Sequence, residues 1–313
     1  MRIAVMAAGG VGGYFGAKLA LAGHDVAFIA RGRHLAAIRE SGLVVHSGGG
    51  DVRLAKPVAS DDPRSLGRFD IVLFAVKLWD TEIAAEAIKP LIAGGGAVIP
   101  FQNGVDAIER VGAIVGKGHV LGGVAYIAAT IAEPGVIRHT GQMARLRFGP
   151  VLPEQQPAAR DFHRACIGAG INAELVADIH RAIWEKFAFL AAMSGVTSAT
   201  RQPIGVIRSD ADLRGCLEDA MREAWAVGRA RGIALADDFI AQQMTFAQGL
   251  PAEMKSSMLN DLNAGNRLEA PWLSGAVARM AKQAGIAAPV NATLYAVVKP
   301  FCDGARRHLP KKD

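Results

Sequence analysis

Scarcity narrows the reading of this chain before any motif does. Only 3 of its 313 residues are cysteines (Cys166, Cys216 and Cys302), far apart and odd in number, with no CxxC pair and no histidines at zinc-ligand spacing. That excludes a disulfide-stapled scaffold and a structural zinc site, and it fits a reducing, cytoplasmic compartment. Aromatic residues make up 6% of the chain, too few for a surface that stacks nucleic-acid bases. No apolar run approaches the ~18 residues that a membrane span needs. The stretch from Arg2 to Ala22 has the outline of a secretory leader, but Gly9, Gly10, Gly12, Gly13 and Gly16 interrupt it. A strand followed by a glycine turn and a helix explains it better. Acidic residues are outnumbered, 29 against 35 Lys and Arg, leaving a net charge of +6. Such a field draws phosphates and carboxylates. There is no dense basic run, however, and the one cluster, Arg306, Arg307, Lys311 and Lys312, reads as a solvated end. No nucleic-acid partner is expected.

What is present is ample core material: 51% of the residues are hydrophobic, and 36 are glycine. A chain of this length is expected to form about two domains. In the first half short apolar runs alternate with helical patterns. Ile3–Met6, Val26–Ile29, Ile71–Val76, Ala97–Phe101 and Val124–Ile127 read as successive buried strands. Continuous apolar strands separated by helices imply a parallel sheet covered on both faces. Leu43 to Leu54, with Gly48, Gly49 and Gly50 at its middle, reads as an inserted hairpin, and Val136 to Phe148 as edge strands returning antiparallel. After about Asp178 the strand pattern stops. Residues 183–198, 210–231, 237–248 and 268–285 read as helices, with Asp210 and Asp237 as start signals and Gly232 and Gly285 as stops. The expected division is 1–175 for an α/β domain and 176–313 for an all-helical one. There is no internal repeat.

Between the first strand and the first helix runs Met6-Ala7-Ala8-Gly9-Gly10-Val11-Gly12-Gly13-Tyr14-Phe15-Gly16. The dinucleotide fingerprint G-x-G-x-x-G belongs in that context, with Gly9 and Gly12 at its second and third positions and Ala7 at its first. Gly9 lets the backbone approach a pyrophosphate, Gly12 lets helix and strand pack closely, and the helix start offers its amides, those of Gly10 and Val11 among them, to phosphate. Alanine at position 7 is tolerable provided its φ stays negative. The second strand ends in Ala30-Arg31-Gly32-Arg33-His34, without the acid that accepts ribose hydroxyls in NAD-binding sheets. Arg31, with Arg33 or His34 in support, suits a 2′-phosphate and so favours NADP(H). Lys77 and Asn103 stand at two further strand ends, where an open parallel sheet places its ligands. In the helical half, Lys186 opens a very apolar helix, where desolvation lowers an ammonium's pKa. From periodicity alone a snorkelling surface lysine is the favoured reading of Lys186, and Ser256, Ser257 and Glu269 read as caps and surface charges.

Together these residues resemble the ketopantoate reductase (2-dehydropantoate 2-reductase) family over nearly the whole length. The landmarks run in order: Gly9 to Gly16, Ala30-Arg31-Gly32, Val76-Lys77, Gln102-Asn103-Gly104, Trp184-Glu185-Lys186, Ser256-Ser257-Met258 with Asp261, Glu269, and Pro289-Val290-Asn291. The resemblance implies an N-terminal Rossmann-type doubly wound parallel sheet and a C-terminal all-helical domain. It further implies NADPH-dependent reduction of a 2-oxo acid, 2-dehydropantoate to pantoate, in pantothenate biosynthesis. By resemblance Lys186 is the catalytic lysine, Asn103 belongs with it to the catalytic set and holds the lysine and nicotinamide side, Ser257 binds the substrate carboxylate and Glu269 joins that catalytic polar network. Gly9, Gly10, Val11, Gly12, Arg31, Lys77 and Asn103 hold the cofactor. No metal is implied. The departures are Leu190, Ser194 and Ile204, which stand where the family carries substrate-facing asparagines, so a more apolar pocket is expected. Two other readings stay open: a reductase of a different 2-oxo acid, and a non-catalytic NADP(H)-binding sensor, for which Lys186 and Glu269 would have no use. The C-terminal helices are compatible with a homodimer and with a monomer.

Overall fold

The computed structural model describes residues 1–304, so the basic cluster Arg306, Arg307, Lys311 and Lys312 lies outside the described residues. The chain divides into two units, one spanning Met1–Ala182 and one beginning at Ile183. The first opens with β1 (Arg2–Met6), α1 (Gly10–Leu21), β2 (Asp25–Ile29) and α2 (Gly32–Ser41). It continues with β3 (Leu43–His46), β4 (Val52–Leu54), β5 (Val58–Ser60), β6 (Ile71–Phe74) and α3 (Thr81–Ile92). Then come β7 (Ala97–Pro100), α4 (Ala107–Val115), β8 (Gly122–Glu133), β9 (Val136–Gly149), α5 (Gln156–Gly168) and β10 (Asn172–Leu175).

Five of these strands form a wholly parallel sheet in the order β5-β2-β1-β6-β7. The chain leaves β1 first to one side and then to the other, which makes the sheet doubly wound and puts a switch point at the carboxyl end of β1. Alternation along β1 shows why its run is unbroken. Ile3 and Val5 enter one core with Phe15, Phe28 and Phe148, while Ala4 and Met6 enter another with Phe74, Ile88 and Leu91. A strand buried on both faces has no polar position to offer, and each large aliphatic side chain so buried contributes about 1.5–3 kcal/mol.

A second sheet runs β10-β9-β3-β4, with β8 pairing β9. Here two expectations are corrected. The Val124–Ile127 segment does not extend the parallel series; it lies in β8, antiparallel to β9, and an isolated bridge from Val98 to Val120 is the link beside it to the first sheet. Nor is Val136–Phe148 an edge. β9 is antiparallel to β8 along its length, and its two ends also pair parallel with β3 and β10. The polar alternation had a different cause: Arg138 and Arg145 are exposed while Ile137, Leu146 and Phe148 are buried, so one face of the sheet is wet. The hairpin from Leu43 to Leu54 forms as expected, as part of this sheet.

In the second unit α6 (Ile179–Thr200), which crosses the division, is followed by α7 (Ile204–Ser209), α8 (Ala211–Ala230) and α9 (Phe239–Gly249). The rest are α10 (Ser257–Asn263), α11 (Ser274–Gln283) and α12 (Pro289–Val298). Asp210 caps α8 by accepting from the amides of Asp212 and Leu213 at 3.0 and 2.9 Å. Asp237 does not start α9; Asp238 takes the cap position, and Asp237 pairs with Arg229 at 3.1 Å. Residues 268–285 are not one helix either, because Pro271 sits in a 3₁₀ turn, Ala270–Trp272, ahead of α11. Glu223 of α8 holds the start of α12, accepting from the amides of Val290 and Asn291 at 2.8 Å each and from Asn291 Nδ2 at 2.7 Å. Among the described residues no helix is long and apolar enough to cross a membrane.

Candidate active site

The glycine loop links β1 to α1. Gly9 takes the cap position with no side-chain bond to the helix amides, so the first-turn N–H groups and the positive dipole end face outward. A Cβ on Gly9 would meet nothing within 4 Å, whereas one on Gly12 would lie 2.2 Å from the Ala7 carbonyl oxygen and 2.8 Å from Val5 Cγ1. The two glycines therefore divide the work: Gly9 leaves open space above the amides, and Gly12 lets α1 sit on β1. At Gly10 a Cβ would come 2.0 Å from the Ala129 carbonyl oxygen, which presses the loop against β8. An open, amide-lined cradle of this kind fits a pyrophosphate.

Ala7 corrects an expectation. Its φ is +77°, in the left-handed region, where a Cβ costs roughly 1–2 kcal/mol. The tight turn requires that conformation whatever residue occupies it. Ala7→Gly should raise stability by about 0.5–1 kcal/mol, the relieved strain exceeding the added entropy of the unfolded chain. A urea denaturation midpoint checks this, and an unchanged or lower midpoint would refute it.

His34 is also corrected. Its Nε2 donates to the Ala8 carbonyl at 2.8 Å, and its Nδ1 accepts from the Gly135 amide at 3.0 Å. Both ring nitrogens are thus committed to bracing the glycine loop against the β8–β9 turn, and neither is left for a 2′-phosphate. Arg31, at the cap of α2, is exposed and reaches Asp80 Oδ2 at 3.3 Å. Lys77 caps the 3₁₀ turn Leu78–Asp80, exposed, with its Nζ 5.7 Å from the Trp79 ring centroid. Asn103 lies half-buried just beyond β7. Its neighbour Gln102 is buried and donates to the Val76 carbonyl at 3.0 Å and to Thr81 Oγ1 at 2.9 Å. Gln102 thereby holds the two strand ends together. Sequence reasoning missed its bracing role and missed Asp80 altogether; a polar residue at the end of an apolar strand was the available signal for Gln102.

In the helical unit Lys186 opens the third turn of α6. Burial lowers its ammonium from 10.5 to about 8, and the negative charge of Glu269 works against that fall. Glu269 itself is only 7% exposed. The structure thus couples the two groups electrostatically, as a proton donor beside a carboxylate that favours its charged form. Ser256 is the buried cap of α10, accepting from the Leu259 amide at 3.1 Å and bonded to Thr197 of α6 at 2.8 Å. Ser257, one residue on, is exposed, and its hydroxyl makes no hydrogen bond among the described residues. Leu190 and Ser194 continue the stripe of α6 that Lys186 begins, at i+4 and i+8. Leu190 is partly exposed; Ser194 is fully buried and its hydroxyl has no hydrogen-bond partner among the described residues. Ile204 is fully buried in the helical core. Among the described residues there is no cluster that could hold a metal ion.

Comparison with known proteins gives matches to both halves of the chain. Residues 3–153 match the family model described as Ketopantoate reductase PanE/ApbA, and residues 178–301 match that of its C-terminal domain. The uncharacterized oxidoreductase YkpB of Bacillus subtilis (strain 168) is 32% identical over 96% of this chain and 99% of its own. A 2-dehydropantoate 2-reductase of Mesorhizobium japonicum is 29% identical over 96% of this chain and 97% of its own. The crystal structure of 2-dehydropantoate 2-reductase from Geobacter metallireducens GS-15 superposes with a TM-score of 0.89 at 30% identity, covering 96% of this chain and 99% of that one.

Proposed function

This chain belongs to the ketopantoate reductase PanE/ApbA family, and from that membership we propose that it reduces the ketone of a 2-oxo acid to the 2-hydroxy acid with NADPH, its substrate being 2-dehydropantoate. The observation that carries the reading is Lys186, an ammonium drawn down to about 8 beside the buried carboxylate of Glu269. A ketone that accepts hydride develops negative charge on its oxygen. A nearby ammonium stabilises that charge as it grows and delivers the proton that completes the hydroxyl.

When bound, the nicotinamide cofactor supplies the hydride. The remaining work is assigned to the chain. Amides of Gly10, Val11 and Gly12 hold the pyrophosphate, Arg31 takes the 2′-phosphate with Lys77 adding positive charge, and Asn103 orients the nicotinamide side. Ser257, whose side chain is exposed, binds the substrate carboxylate. Glu269 keeps Lys186 charged, and the lysine's proton passes to the ketone oxygen. The net change is one hydride and one proton added across C=O, so that one cofactor is oxidised for each 2-hydroxy acid formed.

A second substrate reading rests on Leu190. Its partly exposed side chain, one turn beyond Lys186 on the same stripe, offers no hydrogen bond to a substrate hydroxyl. A 2-oxo acid with a purely apolar side chain suits that surface equally. Oxidation of NADPH by the purified protein, followed with 2-dehydropantoate and a panel of aliphatic and aromatic 2-oxo acids, tests both. Turnover of 2-dehydropantoate is expected. Turnover confined to apolar 2-oxo acids would move the assignment to the second reading, and no turnover with any of them would overturn the reductase.

A further inference from the structure

The acid absent from the end of β2 is supplied in space from another strand. β1 lies between β2 and β6 in the sheet. Arg31 follows β2, Asp80 follows β6, and the two meet at 3.3 Å. Their pair therefore bridges the two strand ends that flank the end of β1, from which the glycine loop rises. We propose that Asp80 is the specificity-determining residue for the cofactor's adenosine ribose, and that its carboxylate, by competing for Arg31 and offering an acceptor to a 2′-hydroxyl, makes this chain use NADH as well as NADPH. The inference rests on the reading that the first unit binds a nicotinamide dinucleotide.

The turn carrying Asp80 is held firmly. Thr81 Oγ1 and Arg110 Nη2 both donate to the Leu78 carbonyl, at 2.9 and 2.8 Å, and Gln102 Nε2 donates to Thr81 Oγ1 at 2.9 Å. The Asp80 amide closes the turn on the Lys77 carbonyl at 2.9 Å. Arg31 is the more exposed partner: 73% of its side chain is open to solvent against 33% for Asp80. An ion pair so exposed is weak, and Arg31 leaves it at little cost when a phosphate competes. A 2′-phosphate gains a bidentate, charge-assisted contact from Arg31 but must sit near a fixed carboxylate of like charge. A 2′-hydroxyl meets the opposite situation, donating to that carboxylate. One acid on a braced turn and one exposed base thus serve both cofactors, each imperfectly.

The test is kcat/KM for NADPH and for NADH with a turned-over 2-oxo acid, together with cofactor binding followed by tryptophan fluorescence, for the wild type, Asp80→Asn and Arg31→Ala. In the wild type the two kcat/KM values should lie within about tenfold of each other, since neither the charged nor the neutral ribose is fully matched. Asp80→Asn should raise the NADPH-to-NADH ratio by about tenfold, through a lower KM for NADPH and a higher one for NADH. Arg31→Ala should lower the ratio. A wild type confined to NADPH, or a ratio that Asp80→Asn leaves unmoved while both cofactors bind, overturns the role of Asp80 and spares the reductase reading. Binding of neither cofactor to the wild type overturns both.

Discussion

Lys186→Ala is expected to lower kcat/KM by about 10²–10⁴-fold, the range that a positioned general acid contributes, while NADPH titrated by fluorescence still binds. The separation follows from where the groups lie: the glycine loop, Arg31, Lys77 and Asn103 all belong to the first unit, and Lys186 to the second. The wild-type pH profile sharpens the case. The charged form is the proton donor, and burial places its titration at about 8. kcat/KM should therefore be highest below that value and fall as pH rises through it. Glu269 holds the titration up, so Glu269→Gln should carry the alkaline limb to lower pH. Wild-type rates that persist in Lys186→Ala would refute the assigned chemistry.

The second large effect is expected at Gly12. An alanine Cβ there would stand 2.2 Å from the Ala7 carbonyl oxygen and 2.8 Å from Val5 Cγ1. The first contact is backbone and cannot be relieved by a rotamer change, so α1 must lift from β1 or the loop must shift. Overpacking of this kind costs typically 1–3 kcal/mol and more when backbone is the obstacle, and Gly12→Ala should fall at about 3 kcal/mol or above with cofactor binding lost. Gly9→Ala provides the contrast. Its Cβ meets nothing within 4 Å and its φ of −77° suits any residue, so it should unfold at the wild-type midpoint yet bind NADPH more weakly, because the methyl enters the space above the amides. Thermal unfolding and cofactor titration of the two variants separate packing from recognition. Equal stability for both would show that the loop yields more readily than its backbone contacts suggest.

Much of the first sheet was legible in the sequence because its strands are buried on both faces. Ile71-Val72-Leu73-Phe74 has one reading at almost any level of context. Asp210, Gly232 and Gly285 were legible for a related reason: caps and stops act within a few residues of the chain. The residue types proposed for binding and chemistry (the glycine loop, Arg31, Lys77 and Asn103 in the first unit, Lys186 and Glu269 in the second) stand in the sequence, but their relationships within each unit do not. Nothing local to Lys186 distinguishes a snorkelling side chain from one drawn down to about 8; the difference lies in what packs around it and in a glutamate 83 positions later in the numbering.

The sequence by itself determined the family, the doubly wound parallel sheet and the switch to helices, because hydrophobic period, glycine placement and capping act over short stretches of chain. Only the tertiary structure decided that β8 and β9 build a second sheet, that Ala7 is forced to a positive φ, that His34 braces the loop, and that Asp80 reaches Arg31. Each of these depends on which strands lie side by side. That choice is made by the sum of burial and pairing over the whole unit, and a side chain reaching across the end of β1 leaves no mark on the residues next to it in the chain.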